Sequence, residues 1–388
     1  MKICGIVSEY NPFHAGHKYH IDETKRITGC DYIVACMSGA FTQRGEIAFM
    51  DKFDRVRMAL LGGCDAVFEL PAECAVRPAE WFARGGVSVL DKLGCDSISF
   101  GTESGDRDEL LKLFHLVSNE SDEIKEKIRE GLGMGKTLAR ARGEALKSVC
   151  PHLENMPNLS LALEYLASMK ALSSNMEICV IKRSAPYHAQ KEDKGLSASE
   201  IRLSIQNGNA DWAINSMPVG VREIFTGALN GGISNKTRLD EVFLHIIRDL
   251  SKEERQRLPD AGEGLSERIF QKAQTASSLE SLIESVKCKR YTRARITRVI
   301  AAAALKMQKK APLEAPYLRL LGFRKESAPL IRTLDIRSGH KIVSSPEKIR
   351  THPSFLTEIR ATDLWGLSAQ GEKYRKAGRD LTEKFIVI

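Results

Sequence analysis

The sequence predicts an α/β protein, with a doubly wound, Rossmann-like parallel sheet followed by a mostly helical, basic C-terminal domain. Short β-rich runs alternate with segments of helical spacing through the first two hundred residues. The triplet Gly-Cys-Asp recurs at 29–31, 63–65 and 94–96, each time just before a β-rich run. The excess positive charge is concentrated in the C-terminal half, within 281–325.

The elements of the sheet follow from these patterns in chain order. The first strand is an apolar run that the Asn11-Pro12 pair ends, and each glycine of the repeated triplet is typical of a residue that terminates a helix. The alternation indicates a parallel sheet, whose ligands bind at the carboxyl ends of its strands. The predicted strands are 2–7, 32–37, 66–70, 97–100 and 176–181. The first predicted helix begins at residue 17, and the others cover 51–61, 79–93 and 159–172.

The length of 388 residues indicates more than one domain. We predict a first domain over 1–206, a glycine-rich connection over 207–235 and a mostly helical domain over 236–388. The composition has 28% charged and 43% hydrophobic residues, with no apolar run long enough to span a bilayer and no signal-peptide pattern. We therefore expect a cytoplasmic protein that does not bind a membrane.

Nine cysteines form no Cys-x-x-Cys pair and no zinc-type spacing. We expect reduced thiols, with neither disulfides nor a metal held by side chains.

The segment His14-Ala-Gly-His17 joins the first strand to the first helix. A helix start offers unpaired amides at the positive end of its dipole, and Gly16 has no Cβ to hold an anion away from them. Two imidazoles three residues apart would then contact phosphate oxygens. The alternative is a pair of surface capping residues, but the position after a first α/β strand favours the phosphate site.

A second motif, Leu196-Ser-Ala-Ser-Glu-Ile-Arg202, has two interpretations. Ser197 and Glu200 have the spacing of a capping box, which needs no further function. Alternatively, Ser197 and Ser199 donate to the β- and γ-phosphates and Arg202 adds a cation. Together with His14 and His17, this second helix start would give a triphosphate a helix terminus on each side.

Other residues at the predicted strand ends would face the same ligand. Arg44, Arg183 and the backbone around Gly101 follow the second, fifth and fourth strands. Each arginine alone is better explained as a solvated surface charge, and only the shared position at strand ends makes a contact with the ligand an equal alternative. His188 is a possible general base, although a histidine beside Tyr187 more often packs or hydrogen-bonds.

The segment 281–325 contains twelve Lys or Arg against two Glu, a net charge of +10, whereas the whole chain carries only +8. Such a concentration indicates a surface that binds a polyanion. Apolar residues repeat there with helical spacing from Ile296 to Met307, and an aromatic residue among the arginines favours RNA, since it would stack on bases. A solvated helix face is the alternative. The residues predicted to bind RNA are expected to be exposed on the side opposite this apolar stripe; they are Arg290, Tyr291, Arg295 and Arg298.

The two phosphate motifs together resemble the signature of the HxGH nucleotidyltransferase superfamily, and further stretches narrow the resemblance to the bacterial tRNA(Met) cytidine acetate ligase family. The similarity covers nearly the whole chain. Ala40 and Ala198 depart mildly from the usual residues, but neither removes a charged or imidazole group. The stretches are residues 7–20, 38–46, 100–103, 157–158, Arg183 with Tyr187-His188, 263–269, 289–295 and 317–323.

This resemblance implies a nucleotidyltransferase-type sheet and an ATP-dependent ligase. Such an enzyme converts acetate and ATP to acetyl-adenylate and acetylates the wobble cytidine of elongator methionine tRNA, giving N4-acetylcytidine. We expect His14, His17 and Arg202 to be catalytic, and Mg²⁺ to bridge the phosphates. The implied ATP contacts are Val7, Glu9, Asn11, Pro12, Phe13, His14, Gly16, His17, His20, Gly101, Asn158 and Arg183, to which the second motif adds Ser197 and Ser199.

Two other functions remain open at this point. A small-molecule adenylyl- or cytidylyltransferase would use the same HxGH turn but would not need the basic helical domain. A non-catalytic, nucleotide-gated RNA-binding protein would need that domain but would release no pyrophosphate.

Overall fold

The computed structural model describes residues 1–118, 122–134, 157–183, 196–310 and 314–388, with 141, 144, 145 and 148 between them. Within these residues the strands form one mixed sheet in the order β5-β4-β1-β2-β3-β6-β7, and β8 pairs with β6. The strands are β1 (Ile3–Ser8), β2 (Tyr32–Ser38), β3 (Ala66–Leu70), β4 (Ser97–Thr102), β5 (Glu177–Lys182), β6 (Leu318–Phe323), β7 (Ile342–Val343) and β8 (Ile386–Val387).

Helices cover both faces of the sheet and make up most of the region between β5 and β6. In the first half they are α1 (Ala15–Thr28), α2 (Lys52–Leu61), α3 (Ala72–Ala75), α4 (Ala79–Lys92), α5 (Arg107–Ser118), α6 (Asp122–Gly133) and α7 (Pro157–Leu172). In the second half they are α8 (Ala198–Gln206), α9 (Ala210–Asn215), α10 (Arg222–Leu229), α11 (Asp240–Asp249), α12 (Lys252–Arg257), α13 (Leu265–Ala273), α14 (Leu279–Val286), α15 (Arg293–Ala304), α16 (Ala328–Ser338), α17 (Pro353–Ser368) and α18 (Arg379–Thr382). Short 3₁₀ turns lie at Val219–Val221, Lys236–Leu239, Lys325–Ser327, Pro346–Ile349 and Glu372–Tyr374.

The five predicted strands are confirmed, and all of them pair in parallel. Strands β2 and β3 lie on one side of β1, and β4 and β5, which come later in the chain, lie on its other side. The order therefore reverses between β1 and β4. In doubly wound sheets this reversal opens a crevice at the carboxyl end of the strands, and the His14 segment follows β1 at that point.

Alternating residues of the central strands enter two buried clusters on opposite faces of the sheet. Val34 belongs to the cluster under α4 and α7, whereas Ile33 belongs to the cluster under α1, α2 and α8. Gly29 and Gly94 have φ values of 60° and 70°, which confirms their predicted positions at helix ends.

The C-terminal part contributes more to the sheet than we predicted. Strand β6 pairs antiparallel with β3, and β7 and β8 pair with β6. The sheet is therefore not confined to 1–206, although the predicted domain limits themselves remain a prediction. The sequence interpretation missed β6 because its residues lie inside the basic segment, where the charge pattern dominates.

A third buried cluster lies in the helical region around α15. The predicted apolar stripe from Ile296 to Met307 is confirmed, because its residues are buried against α11, α13 and α14. In the described ranges no helix is long and apolar enough to cross a membrane.

Candidate active site

The His14 segment forms the N-terminus of α1 through an unusual pair of caps. His14 is the N-cap residue, and its Nδ1 accepts a hydrogen bond from the Gly16 N–H at 3.0 Å. The Nδ1 of His17 accepts from the His14 N–H at 3.2 Å. Because a backbone N–H can only donate, both Nδ1 atoms must be unprotonated.

The same two rings are neutral at physiological pH. Burial, with the nearby charge of Arg183, lowers the pKa of His14 to about 4. Burial and the neighbouring His14 hold the pKa of His17 well below its ordinary value. Each neutral ring therefore carries its proton on Nε2. The ring centroids lie 3.8 Å apart, so the pair offers two adjacent N–H donors, a suitable arrangement for phosphate oxygens.

Gly16 has a second function besides leaving the helix amides open. A Cβ at this position would lie 2.8 Å from Cε1 of His14 and 3.1 Å from its Nδ1. A side chain at residue 16 would therefore push the His14 ring away from the helix start.

His20, one turn further along α1, braces the helix on the sheet. Its Nε2 lies 2.9 Å from the Ser99 hydroxyl, which lies 2.7 Å from the Thr24 hydroxyl, and Thr24 donates to the His20 carbonyl. Because the Thr24 hydrogen is used on the carbonyl, the Ser99 hydroxyl donates to Thr24 and must itself accept from His20. His20 therefore carries a proton on Nε2. Burial and Arg183 lower the pKa of His20 to about 4, in agreement with a neutral ring. A direct contact with ATP remains a prediction for this residue.

The end of β1 holds the loop that follows β2. Glu9 accepts from the Gln43 N–H at 2.6 Å, and the Asn11 side-chain oxygen accepts from the Phe49 N–H at 2.6 Å. Burial raises the pKa of Glu9, against the lowering effect of the hydrogen bond from Gln43 and of Arg55. These polar groups therefore fix the position of the loop beside the histidines.

Three of the residues predicted to contact ATP are apolar and pack around the His14 segment. Pro12 and Phe13 are buried, and the Phe13 ring packs at 5.6 Å from His17. Val7 packs directly on Gly86 of α4. Their structural function is to hold the His14 segment on the sheet.

On the other side of β1, β4 and β5 bring Gly101 and Arg183 together. Gly101 contacts the aliphatic part of Arg183, whose backbone N–H donates to the Thr102 carbonyl at 2.8 Å. The Arg183 charge contributes to the low pKa of all three histidines. The structure thus places this arginine within electrostatic reach of the HxGH pair.

Asn158 is held by Glu103, a residue to which the sequence interpretation gave no function. Glu103 Oε1 accepts from the Asn158 side-chain amide at 2.8 Å and from its backbone N–H at 3.1 Å, while Oε2 accepts from the Leu159 N–H at 2.9 Å. The carboxylate therefore caps α7. Its position directly after β4 was the available signal, because strand ends carry the polar residues of such sites.

The second motif forms a capping box and also reaches the first. The Ser197 hydroxyl accepts from the Glu200 N–H at 3.3 Å, and the Ser197 N–H donates to Glu200 at 2.7 Å. Arg202 donates to the Ser199 hydroxyl at 3.0 Å and to the Asn11 carbonyl at 2.6 Å. The predicted capping box is thus present, and Arg202 joins α8 to the residues just before His14. The phosphate contacts of Ser197 and Ser199 remain a prediction. His188 lies outside the described residues.

The predicted RNA-binding residues separate into exposed and buried positions. Arg290 is 57% exposed, whereas Arg298 is only 13% exposed and pairs with Asp260 at 2.9 Å. Arg295 pairs with Glu263 at 3.0 Å. Acidic residues that precede the basic segment therefore neutralise part of its charge.

The expectation of an exposed Tyr291 is wrong. Its side chain is only 7% exposed, and its hydroxyl donates to the Glu263 carbonyl. The helical periodicity did not apply to this residue, because α15 begins at Arg293 after the N-cap Thr292. Tyr291 packs in the helical core and offers no free face for base stacking.

Comparison with known proteins agrees with this geometry. Residues 1–380 match the HIGH Nucleotidyl Transferase family. The chain is 33% identical to the tRNA(Met) cytidine acetate ligase of Acetivibrio thermocellus, with all of both chains covered. It is 35% identical to the ligase of the same name from Caldicellulosiruptor saccharolyticus, with 99% of this chain and 97% of the other covered.

A solved structure is also similar over its full length. The crystal structure of Thermotoga maritima TmcAL bound with alpha-thio ATP superposes with a TM-score of 0.90 at 28% identity, and all of both chains are covered. The chain therefore belongs to the tRNA(Met) cytidine acetate ligase family of HIGH nucleotidyltransferases.

Proposed function

We propose that the protein activates acetate with ATP and transfers the acetyl group to the wobble cytidine of elongator tRNA(Met). The observation that carries this proposal is the pair of neutral Nε2–H donors at the start of α1, at the reversal point of the sheet. Full-length relatives named tRNA(Met) cytidine acetate ligase support the choice of substrates.

ATP would lie across the crevice between β1 and β4. The Nε2–H groups of His14 and His17 would donate to phosphate oxygens, and the free amides at the start of α1 would face the same charge. Arg183 supplies a full positive charge nearby. Arg202 would act mainly by holding α8 against the Asn11 carbonyl, with its remaining N–H groups directed to the phosphates.

In the first step an acetate oxygen attacks the α-phosphorus in line, and the bond to pyrophosphate breaks. Acetyl-adenylate and pyrophosphate are formed, with no covalent bond to the protein. Two anions must meet, so preorganised donors and cations lower the barrier by stabilising charge on the phosphates. His14 and His17 serve this purpose as neutral donors, without any proton transfer.

In the second step the exocyclic N4 amine of cytidine attacks the acetyl carbonyl carbon. The bond between the carbonyl carbon and the adenylate oxygen breaks, AMP leaves, and the amine loses one proton. This chemistry requires the base to be unstacked and held against the adenylate.

Mg²⁺ enters the proposal as the partner of the ATP phosphates. The described residues contain no group of three or more His, Cys, Asp or Glu side chains that could hold a metal ion. Mg²⁺ is commonly bound by substrate phosphates and water with little protein ligation. When bound it would reduce the negative charge of the triphosphate, and no step above is assigned to it.

The experiment incubates the purified protein with ATP, labelled acetate and total bacterial tRNA, followed by digestion to nucleosides. The proposal expects label in N4-acetylcytidine from elongator tRNA(Met), with one pyrophosphate per acetyl group. Label in a small-molecule product instead, or pyrophosphate release that does not depend on acetate, would contradict it.

A further inference from the structure

A cavity of about 730 Å³ lies between the C-terminal end of α8 and one face of α15. Asn11 and Arg202, which contact each other at the HxGH segment, both form part of its wall. Pockets for small organic ligands commonly have about 300–1,000 Å³. The cavity is therefore large enough for a nucleoside and opens beside the proposed site of acetate activation.

The sheet order places this cavity on the other side of β1 from two of the residues that we assign to ATP, Gly101 and Arg183. Gly101 lies near the end of β4 and Arg183 follows β5, whereas the cavity residues Gly45, Glu46 and Phe49 follow β2. Strand β1 lies between the two sets. A ligand in the cavity would thus enter the crevice from the side away from Arg183.

The loop after β2 joins the cavity to both the ATP strand and the basic helix. Its Gln43 N–H donates to Glu9. Two residues later, Gly45 (φ 75°) lies so close to α15 that a Cβ would be 2.5 Å from the backbone nitrogen of Arg298. The same loop therefore positions one wall of the cavity against α15, the helix that carries Arg295 and Arg298 of the predicted RNA-binding set.

The lining combines apolar walls with charged side chains, among them the carboxylate of Glu46. Phe49, Ile205 and Ile283 provide apolar surface, and Glu46 pairs with Lys236 at 2.7 Å. Burial opposes ionisation of Glu46, but Lys236 holds the pKa of this carboxyl below its ordinary value. The carboxylate is therefore charged at neutral pH and can accept hydrogen bonds.

We infer that this cavity receives the acceptor cytidine after it leaves the base stack, with Glu46 accepting a hydrogen bond from the N4 amine. A carboxylate accepts a hydrogen bond from the N4 amine of cytosine. Uracil has an acceptor oxygen at the same position, which a carboxylate cannot bind. Glu46 is then a residue that selects cytidine. The inference rests on the proposed function and names the site of its second substrate.

The first test closes the cavity without disturbing a buried side chain. Gln206 is exposed at the end of α8 and lines the cavity, whereas its exposed neighbour Asn207 does not. We expect Gln206→Trp to lower acetyl transfer to tRNA at least 10-fold. Acetate-dependent pyrophosphate release, measured in the same sample, should continue and so show that the ATP site is intact. Asn207→Trp is the matched control and should transfer acetyl groups at the wild-type rate.

The second test addresses selection of the base. Glu46→Gln should reduce acetyl transfer roughly 5- to 150-fold, the effect of about 1–3 kcal/mol from one base contact. Glu284→Gln is the control, because Glu284 also pairs with cations but does not line the cavity. Free cytidine should inhibit transfer by the wild-type protein more strongly than uridine does, and this difference should disappear in Glu46→Gln.

Wild-type acetyl transfer in Gln206→Trp, or equal inhibition by cytidine and uridine in the wild-type protein, would overturn the inference. A loss of tRNA affinity in Gln206→Trp equal to its loss of acetyl transfer would also overturn the inference, because Gln206 would then contribute only to general binding of the RNA. Absence of acetate-dependent pyrophosphate release in the wild-type protein would instead refute the proposed function.

Discussion

At the scale of single residues, the chemistry depends on which nitrogen of each histidine carries the proton. The Nδ1 atoms of His14 and His17 are occupied by backbone N–H groups of their own helix start. Each ring thus caps the helix and carries its proton on Nε2. The sequence predicted that both histidines face phosphate, but not that they would do so as neutral donors, because their pKa values depend on burial by distant segments.

Capping and phosphate binding by His14 can be separated by two substitutions. Asn caps helices well, so His14→Asn should retain the cap, whereas His14→Ala should lose about 1 kcal/mol of stability. Both should lower acetate-dependent pyrophosphate release roughly 10²- to 10³-fold, because both lack the Nε2–H donor. Urea unfolding and a pyrophosphate assay measure the two effects. Wild-type adenylation in His14→Asn would show that the ring serves only as a cap.

The low pKa values of the histidines also predict a pH dependence of stability. His14 and His20 titrate near pH 4 in the folded protein and near 6.5 when unfolded, so the unfolded chain binds more protons between these values. The free energy of unfolding should therefore fall as the pH drops from about 6.5 towards 4, by up to about 1.4 kcal/mol per pH unit for each histidine. Urea unfolding at pH 5, 6 and 7 measures this slope. It should be smaller in His20→Gln, and an equal slope in that variant would contradict the pKa assignment.

At the scale of secondary-structure elements, periodicity was reliable inside helices and failed at their ends. It placed the apolar stripe of α15 correctly, because those residues lie within Arg293–Ala304. It misplaced Tyr291, which precedes the helix and is buried. The partners of the arginines were also missed, since Asp260 and Glu263 reach α15 only through tertiary packing.

This arrangement predicts different results for two arginines near the start of α15. Arg290→Ala should weaken tRNA binding and reduce the slope of log K against log salt by about 0.7–0.9, because one phosphate contact is lost. Arg298→Ala should leave that slope unchanged and reduce stability, because it leaves the largely buried Asp260 without its partner. Binding titrations at several salt concentrations distinguish the two, and identical slopes for Arg290→Ala and wild type would place the RNA elsewhere.

At the scale of the whole molecule, the C-terminal part completes the sheet. A buried ionic cluster joins it to the N-terminal part, because Lys52 and Arg319 both pair with Glu69 and Asp380. The parallel core was predictable because its strands and helices alternate locally in sequence. The pairing of β3 with β6 and the ionic cluster were not, since they join residues separated by some 250 positions.

The cluster predicts a global effect of a single substitution. Asp380→Asn removes a buried carboxylate from between two buried cations, so it should cost about 3–5 kcal/mol of stability. The matched control is Asp335→Asn on the exposed side of α16, which should change stability by less than about 0.5 kcal/mol. Chemical denaturation measures both, and equal stability of the two variants would refute this function of the cluster.

In the proposed reaction, free acetate activated by ATP at the HxGH site is the acetyl donor. The most direct measurement follows pyrophosphate release and labelled N4-acetylcytidine with ATP and acetate, in parallel with acetyl-CoA, for the wild-type protein and His17→Ala. We expect acetate with ATP to suffice, acetyl-CoA alone to give no product, and His17→Ala to lose roughly 10²- to 10³-fold in pyrophosphate release. Acetylation supported by acetyl-CoA but not by acetate with ATP, or unchanged release in His17→Ala, would contradict the account.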